Sequence, residues 1–349
     1  MRLVEQLRQR ARALWRDERD RCLLVAAAVA LAASFLNPGL QVEQALVEHV
    51  VVLDITQSMN VTDQRSTEAQ SAGQPVSRLA FAKQALQQAL PQLPCGSRLG
   101  WAVFTEYRSF LLLAPVEVCA HLGELQATLA GIDGRMAWAG NSEVAKGLHS
   151  ALSVARLLPD KPSLVFVTDG HEAPPLNPRH RPAFDDKPGD VAGLIVGVGG
   201  LRPAPIPKTD ALGRPLGFWR ADEVMQTDPY SQGRGASVGR EKFVDDEAAA
   251  GAALPRGAAG SEHLSSLHEA YLRLLAGELG LGFHHLQTGE ALAEALTAAT
   301  LARPVPARAD LRPGLAALAA LLLLARLAPA WGRRLRSWRH RRDSRSPRA

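Results

Sequence analysis

An α/β fold, with a mostly parallel central sheet flanked by helices, is what this 349-residue chain predicts. Short runs of β-branched and other apolar residues at Val50 to Asp54, Val165 to Asp169 and Val191 to Val198 have the length and composition of strands buried on both faces. Between and after them, Ser77 to Leu93, Leu122 to Leu129, Ser142 to Leu158, Ser266 to Leu279 and Thr288 to Leu301 carry apolar residues at helical spacing. The chain is longer than the roughly 200 residues such a domain needs, and the excess lies mostly at its ends.

The first strand runs into Asp54-Ile55-Thr56-Gln57-Ser58, a carboxylate followed by hydroxyls two and four residues later. A strand that ends at Asp54 and turns sharply aims Asp54, Thr56 and Ser58 at one point beyond its tip. Hard oxygen ligands of this kind suit Mg2+, Mn2+ or Ca2+. Taken singly, Asp54 or Asp169 reads as a turn or helix-capping residue. Ser142 opens a helix after Gly140-Asn141, and Asp169 closes the strand Val165-Phe166-Val167-Thr168, so both belong at the same sheet edge as Asp54. Open α/β sheets bind ligands at the carboxyl ends of their strands.

Further along, Arg98 to Thr105 and Ser109 to Pro115 read as a hairpin about Glu106-Tyr107, and reflecting Cys95 through that turn lands beside Cys119. A Cys95–Cys119 disulfide is therefore expected. Gly197-Val198-Gly199-Gly200 lacks the glycine spacing and following helix of a dinucleotide loop. Residues 201 to 220 look like a protruding hairpin around Asp210 to Gly213, and 227 to 261 like a mobile loop. A short strand is expected near Phe283, where neighbouring His284 and His285 face opposite sides and cannot chelate one ion. His171 and Glu172, just after Asp169, are candidates for touching a bound partner. No Ser/His/Asp or Cys/His combination supports nucleophilic catalysis, so no enzyme activity is expected.

Asp-x-Thr-x-Ser, the distant Ser142 after glycine and Thr168-Asp169-Gly170 resemble the metal-ion-dependent adhesion site of von Willebrand factor A domains, over roughly Val50 to Ala298. The resemblance implies a Rossmann-like von Willebrand factor A domain spanning 47 to 300. It implies that Thr56 and Ser58 coordinate a divalent ion directly, that Asp54 and Asp169 hold it partly through water, and that Ser142 supplies the third-loop hydroxyl. Mg2+ is the first expectation, with Ca2+ or Mn2+ as alternatives. One position would be left for a partner's carboxylate. The family more often has Ser at 56 and Thr at 142.

The tails say where such a domain would work. Residues 1 to 21 hold seven Arg against four acids, and 333 to 349 hold eight Arg and one Asp, which leaves about −5 for residues 22 to 332 out of a formal net charge of +5. Both tails adjoin apolar runs, Cys22 to Leu36 and Gly314 to Trp331, the latter broken only by Arg326. Basic ends beside apolar runs fit cytoplasmic tails and membrane spans at 22 to 40 and 312 to 331, with the intervening domain in the periplasm of a bacterial inner membrane. Nucleic acid is a poor partner for a domain of negative net charge, and a disulfide fits an oxidising compartment. Cleavage after the first run, at the small residues Ala30 to Ser34, is the alternative to an anchor there.

Finer resemblances point to a role. The anchored layout, Gly197 to Gly200 with Pro205-Ile206-Pro207, and Ser266-Leu267-His268-Glu269 resemble Bat-type membrane-anchored proteins of bacteria. Pro94-Cys95-Gly96-Ser97-Arg98-Leu99-Gly100-Trp101, Phe104 to Arg108 and Thr168 to Pro175 resemble the MxaL-type proteins associated with bacterial methanol dehydrogenase. That second resemblance implies an accessory that helps mature a pyrroloquinoline quinone enzyme, at a step such as calcium insertion, beside a sister von Willebrand A protein and a MoxR-type ATPase. The first implies a component of an envelope stress-tolerance or protein-assembly complex.

Overall fold

The computed structural model describes residues 2–36, 38–68, 71–176, 180–184, 186–210, 212–226, 241–245 and 260–343. The chain divides into two compact units, Ala45–Pro304 and the joined ends, Met1–Gln44 with Val305–Ala349.

The larger unit is built on six strands: β1 Glu48–Asp54, β2 Arg98–Thr105, β3 Arg108–Glu117, β4 Ser163–Thr168, β5 Gly193–Gly197 and β6 Gly282–His285. They lie in the order β6-β5-β4-β1-β2-β3, and every neighbouring pair is parallel except β2 with β3. The chain lays down β2 and β3 on one side of β1 and then returns to lay β4 on the other. The gap between the carboxyl ends of β1 and β4 is thus the point where such sheets bind ligands.

Strand periodicity explains why the sheet is covered on both faces. Val51, Leu53, Val165 and Val167 pack against α2 Arg78–Ala89, α3 Leu122–Gly131 and α6 Gly289–Leu296. Their neighbours Val50, Val52, Leu164 and Phe166 pack on the opposite side, against α4 Val144–Leu157 and α5 Glu269–Leu279. Each such side chain contributes about 1.5–3 kcal/mol when fully buried, which is why the β1 and β4 sequences are continuously apolar. Ser77 caps α2 by accepting from the Ala80 N–H at 3.1 Å, and Thr288 caps α6 in the same way. Helix α2 stops at Ala89, short of Leu93, because Pro91 turns the last residues into a 3-10 segment, Leu90–Gln92.

The β2–β3 hairpin turns at Glu106-Tyr107, with Glu106 at φ 57°. Its register is not a simple reflection: Thr105 faces Arg108 near the turn, but two irregularities around Trp101 bring Arg98 opposite Glu117 at the open end. Gly100 permits the distortion, since a Cβ there would lie 2.5 Å from the Leu113 carbonyl oxygen. Beyond that open end Cys95 and Cys119 form the expected disulfide, their Cα atoms 5.3 Å apart.

The hairpin expected within 201 to 220 pairs Pro207–Thr209 with Pro215–Phe218. Asp210 shapes its tip, one carboxylate oxygen accepting from the N–H groups of Leu212 and Arg214. Most of the expected loop at 227 to 261 lies outside the described residues. Within it Glu241–Asp245 is a strand paired with His180–Phe184, so this part is regular structure and not loop.

The second unit contains α1 Arg2–Phe35 and α7 Arg312–Asp343, which meet through Ala27, Ala30 and Ala319. The span expected at 22 to 40 does not persist as helix: Pro38 disfavours helical backbone at the residue before it, and a strand, Gly39–Leu46, follows and pairs with Arg303–Asp310. Among the described residues no helix is long and apolar enough to cross a membrane.

The disulfide closes a loop 24 residues apart in sequence, so its loss should cost about 3 kcal/mol by unfolded-state entropy. Urea unfolding of the Cys95→Ser/Cys119→Ser double variant should show this loss, and dithiothreitol should produce the same shift in the wild type and none in the variant.

Candidate functional site

The residues singled out in the β1, β4 and β3–α4 segments converge at the gap between β1 and β4. β1 ends at Asp54, fully buried, and the Ile55 N–H bonds across to the Phe104 carbonyl before the chain turns into a short 3-10 helix, Gln57–Asn60. One Asp54 carboxylate oxygen accepts from the Thr56 N–H at 2.9 Å and the Thr56 hydroxyl at 2.7 Å, and the other from Thr168 Oγ1 at 2.6 Å. Thr56 Oγ1 lies 3.4 Å from Ser58 Oγ, which donates to Asp169 Oδ1 at 3.2 Å. Asp54, Thr56, Ser58 and Asp169 thus form one connected chain of oxygens.

Ser142 arrives from a different direction. Its backbone exchanges two 2.7 Å hydrogen bonds with Ala173, just beyond β4, and Glu143 N–H donates to Glu106 O in the β2–β3 turn. The hydroxyl of Ser142 is buried and has no hydrogen-bond partner, although the residue lines the same cleft as Thr56 and Ser58. A buried, unsatisfied oxygen is costly and calls for an explanation. An oxygen-binding cation supplies one: the donor set is three hydroxyls and two carboxylates, the chemistry that Mg2+, Ca2+ or Mn2+ prefers. The residues present therefore fit such an ion.

The electrostatics are set by a residue that sequence reading passed over. Arg78, at the start of α2, is fully buried; one guanidinium nitrogen donates to Asp169 Oδ2 at 2.5 Å and to Ser265 Oγ at 2.7 Å. Its other nitrogens hold Asp63 and the Ser265 carbonyl. Burial works to raise the Asp169 carboxyl, but the Arg78 charge, with the His171 backbone N–H, holds it below the ordinary carboxylate range. Asp54 has no such partner, and burial, then the neighbouring Asp169 charge, push it up to about 7.

Gly199 belongs to the same arrangement. At φ 129°, a Cβ there would stand 2.7 Å from Arg78 Nε, while the next N–H, of Gly200, donates to Asp63. The glycines that look like a nucleotide loop thus make room for an arginine. The available signal was the charge of Arg78 itself, since a basic residue in the first turn of a helix opposes the helix dipole and needs another reason to be there.

His171 and Glu172 divide. His171 lines the cleft, buried, with Nδ1 unpartnered, and burial lowers it to about 4, so the ring is neutral. Glu172 does not face the cleft. It is buried behind the site, where its two oxygens accept from the Val144 and Ala145 N–H groups at the start of α4 and from the Tyr271 hydroxyl at 2.6 Å. It is a helix cap, which corrects the expectation of partner contact. Ala173-Pro174, next in the chain, is a cis peptide.

No family model and no curated protein matches this chain. Among solved structures it is similar to an aerotolerance-related membrane protein of Bacteroides fragilis, at 17% identity, covering 72% of this chain and 96% of that one with a TM-score of 0.43. It is also similar to the conserved hypothetical protein BatB of Bacteroides thetaiotaomicron, at 14% identity, covering 72% and 95% with a TM-score of 0.43. A von Willebrand factor type A protein of Catenulispora acidiphila is similar at 11% identity, covering 75% of this chain and 44% of that one with a TM-score of 0.32. Superpositions this loose bear on neither function nor ligands.

Two measurements probe this geometry. Arg78→Met leaves two carboxylates, one fully buried, without their cation, and should lower unfolding free energy by about 3–5 kcal/mol in urea titration. Burial pushes Glu172 up to about 7, above its unfolded value, so the folded state holds the extra proton between pH ~4.5 and ~7 and stability from this group falls as pH rises through that window. Glu172→Gln should therefore gain stability relative to the wild type between pH 5 and 8, whatever constant offset the lost hydrogen bond introduces.

Proposed function

We propose that this protein is a metal-dependent protein-binding module anchored at a membrane, whose ion is completed by a carboxylate from a protein partner. The observation that carries the reading is the buried, unpartnered Ser142 hydroxyl in one cleft with the Thr56 and Ser58 hydroxyls, beside Asp54 and Asp169. In this reading Thr56, Ser58 and Ser142 would hold Mg2+, Ca2+ or Mn2+ directly, with Asp54 and Asp169 behind them. The bound ion supplies electrostatic attraction for an incoming carboxylate, coupling docking to occupancy. No catalysis is assigned to the chain.

Exposed apolar side chains on α1 and α7, among them Val25, Val29, Leu321 and Leu324, support membrane association of those helices. With the basic tails in the cytoplasm, the domain would face the periplasm, a compartment the Cys95–Cys119 disulfide also favours.

Among assemblies, a Bat-like component of an envelope stress-tolerance or protein-assembly complex, working with a MoxR-type ATPase, is the reading we favour. The segments that resemble Bat-type proteins take part in the site: Ile206 lines the cleft, and the Leu267 and His268 N–H groups bond to the Gly200 and Asp169 carbonyls. The narrower role, maturation of a quinoprotein methanol dehydrogenase through calcium insertion beside a sister von Willebrand A protein, rests on the sequence resemblance alone.

Capture from solubilised membranes tests the proposal. Wild-type protein should retain a partner in Mg2+ and release it to EDTA, whereas Asp54→Ala should retain none while keeping its circular dichroism spectrum. Mn2+ binding read by electron paramagnetic resonance should weaken several-fold in Ser142→Ala. Full capture in EDTA would sink the coupling of docking to the ion.

A further inference from the structure

We propose that the cleft beside this centre is a recognition pocket for a peptide segment in which a large apolar side chain adjoins the acidic residue that reaches the ion. The inference rests on the metal-binding reading above and adds what the partner must look like.

The cleft holds about 250 Å3 and is shared by the candidate ligands Thr56, Ser58 and Ser142 and by an apolar wall. That wall comes from three places: Pro174 and Pro175 after the cis peptide, Ile206 and Trp219 from the hairpin, and Val224 and Met225 beyond it. Its volume is below the roughly 300–1,000 Å3 of pockets that enclose whole cofactors or drug-sized ligands, and suits one large side chain. Trp219 is fixed in place, its backbone N–H donating to the Ile206 carbonyl and its ring covered by Lys208 Nζ at 4.4 Å from the centroid.

Three buried polar atoms of residues on this cleft have no partner: Ser142 Oγ, His171 Nδ1 and Trp219 Nε1. Ser142 is accounted for by the ion. An indole N–H can only donate, so its missing partner is an acceptor such as a peptide carbonyl. A peptide supplies all of this at once: a carboxylate for the ion, a carbonyl for the indole N–H, a backbone N–H or carbonyl for the imidazole nitrogen, and an apolar side chain for the wall. The acids on the cleft do not oppose it: Lys208 holds Glu223 at 2.9 Å, and burial pushes Glu262 up to about 7. Two of the wall residues decide the test: Met225, which is half-buried, and Trp219.

Fluorescence anisotropy of the full chain in detergent, with the fluorescein-labelled heptapeptides GGGDGGG and GGLDLGG, separates the two ideas. In Mg2+ the leucine peptide should bind about tenfold tighter or more. Met225→Trp, which fills the cleft, should bring it down to the level of GGGDGGG while leaving GGGDGGG unchanged, so folding is controlled by the same measurement. Trp219→Phe should weaken the leucine peptide several-fold. Mg2+-dependent binding of both peptides with equal affinity, or a preference that Met225→Trp leaves intact, would overturn the pocket and leave the ion reading standing. A leucine preference undiminished in EDTA would keep the pocket and overturn the ion reading. Failure of both peptides to bind at millimolar concentration would overturn both, and displacement of GGLDLGG by succinate as effectively as by the unlabelled peptide would show that a bare dicarboxylate suffices.

Discussion

The ion pair of Arg78 with Asp169 and Asp63 is the constraint on which the site's architecture depends. One guanidinium ties together the start of α2, the loop after β1, the end of β4 and, through Ser265, the approach to α5. Gly199 and Gly200 then adapt the end of β5 to it. A buried charge network of this kind contributes little net stability over an apolar substitute, but it permits only one arrangement of its hydrogen bonds. Here that arrangement also presents one face of Asp169 to Ser58 while Arg78 covers the other.

This division of Asp169 shapes what the centre can bind. Three carboxylates, Asp54, Asp63 and Asp169, stand against one guanidinium, and Asp63 is committed to it. Asp54 is the group without a cation, and its elevated proton affinity is the response of a buried acid left beside another. A divalent ion among the hydroxyls would relieve that pairing and balance the two negative charges that the three carboxylates leave in excess of the guanidinium. The apolar cleft next to it then limits which acidic segments could reach it.

Much of this was legible in the chain. Continuous apolar strands declared a sheet covered on both faces, and oxygen-bearing residues at strand ends fell together because a parallel sheet puts all its carboxyl ends on one edge. The hairpin and its disulfide followed from reflection through Glu106-Tyr107, although two irregularities near Trp101 shift the open end by two places, so that Arg98 faces Glu117 where simple reflection gives Pro115. What was not legible depended on long-range partners. The one local sign of Arg78 is its positive charge in the first turn of α2, which does not name its partners, and Glu172 reads as a loop residue until α4 is placed with its N–H groups facing it. The strand Glu241–Asp245 escaped because its pairing partner is distant and its flanks are rich in Gly and Ala. The apolar run at Cys22 was legible as apolar, but its length as helix was decided by Pro38.

The two covalent and ionic fasteners of the larger unit sit at opposite edges of the sheet. Cys95 precedes β2 and Cys119 follows the antiparallel β3, so the disulfide closes the amino edge of the parallel strands. Arg78 and the oxygen cluster lie at the carboxyl edge. A disulfide acts by restricting the unfolded chain and leaves folded contacts alone, so tightening the amino edge costs the carboxyl edge no freedom. The carboxyl edge is instead held by hydrogen bonds and one buried charge, and Arg78 ties Asp169 there to Asp63 and, through Ser265, to the approach to α5.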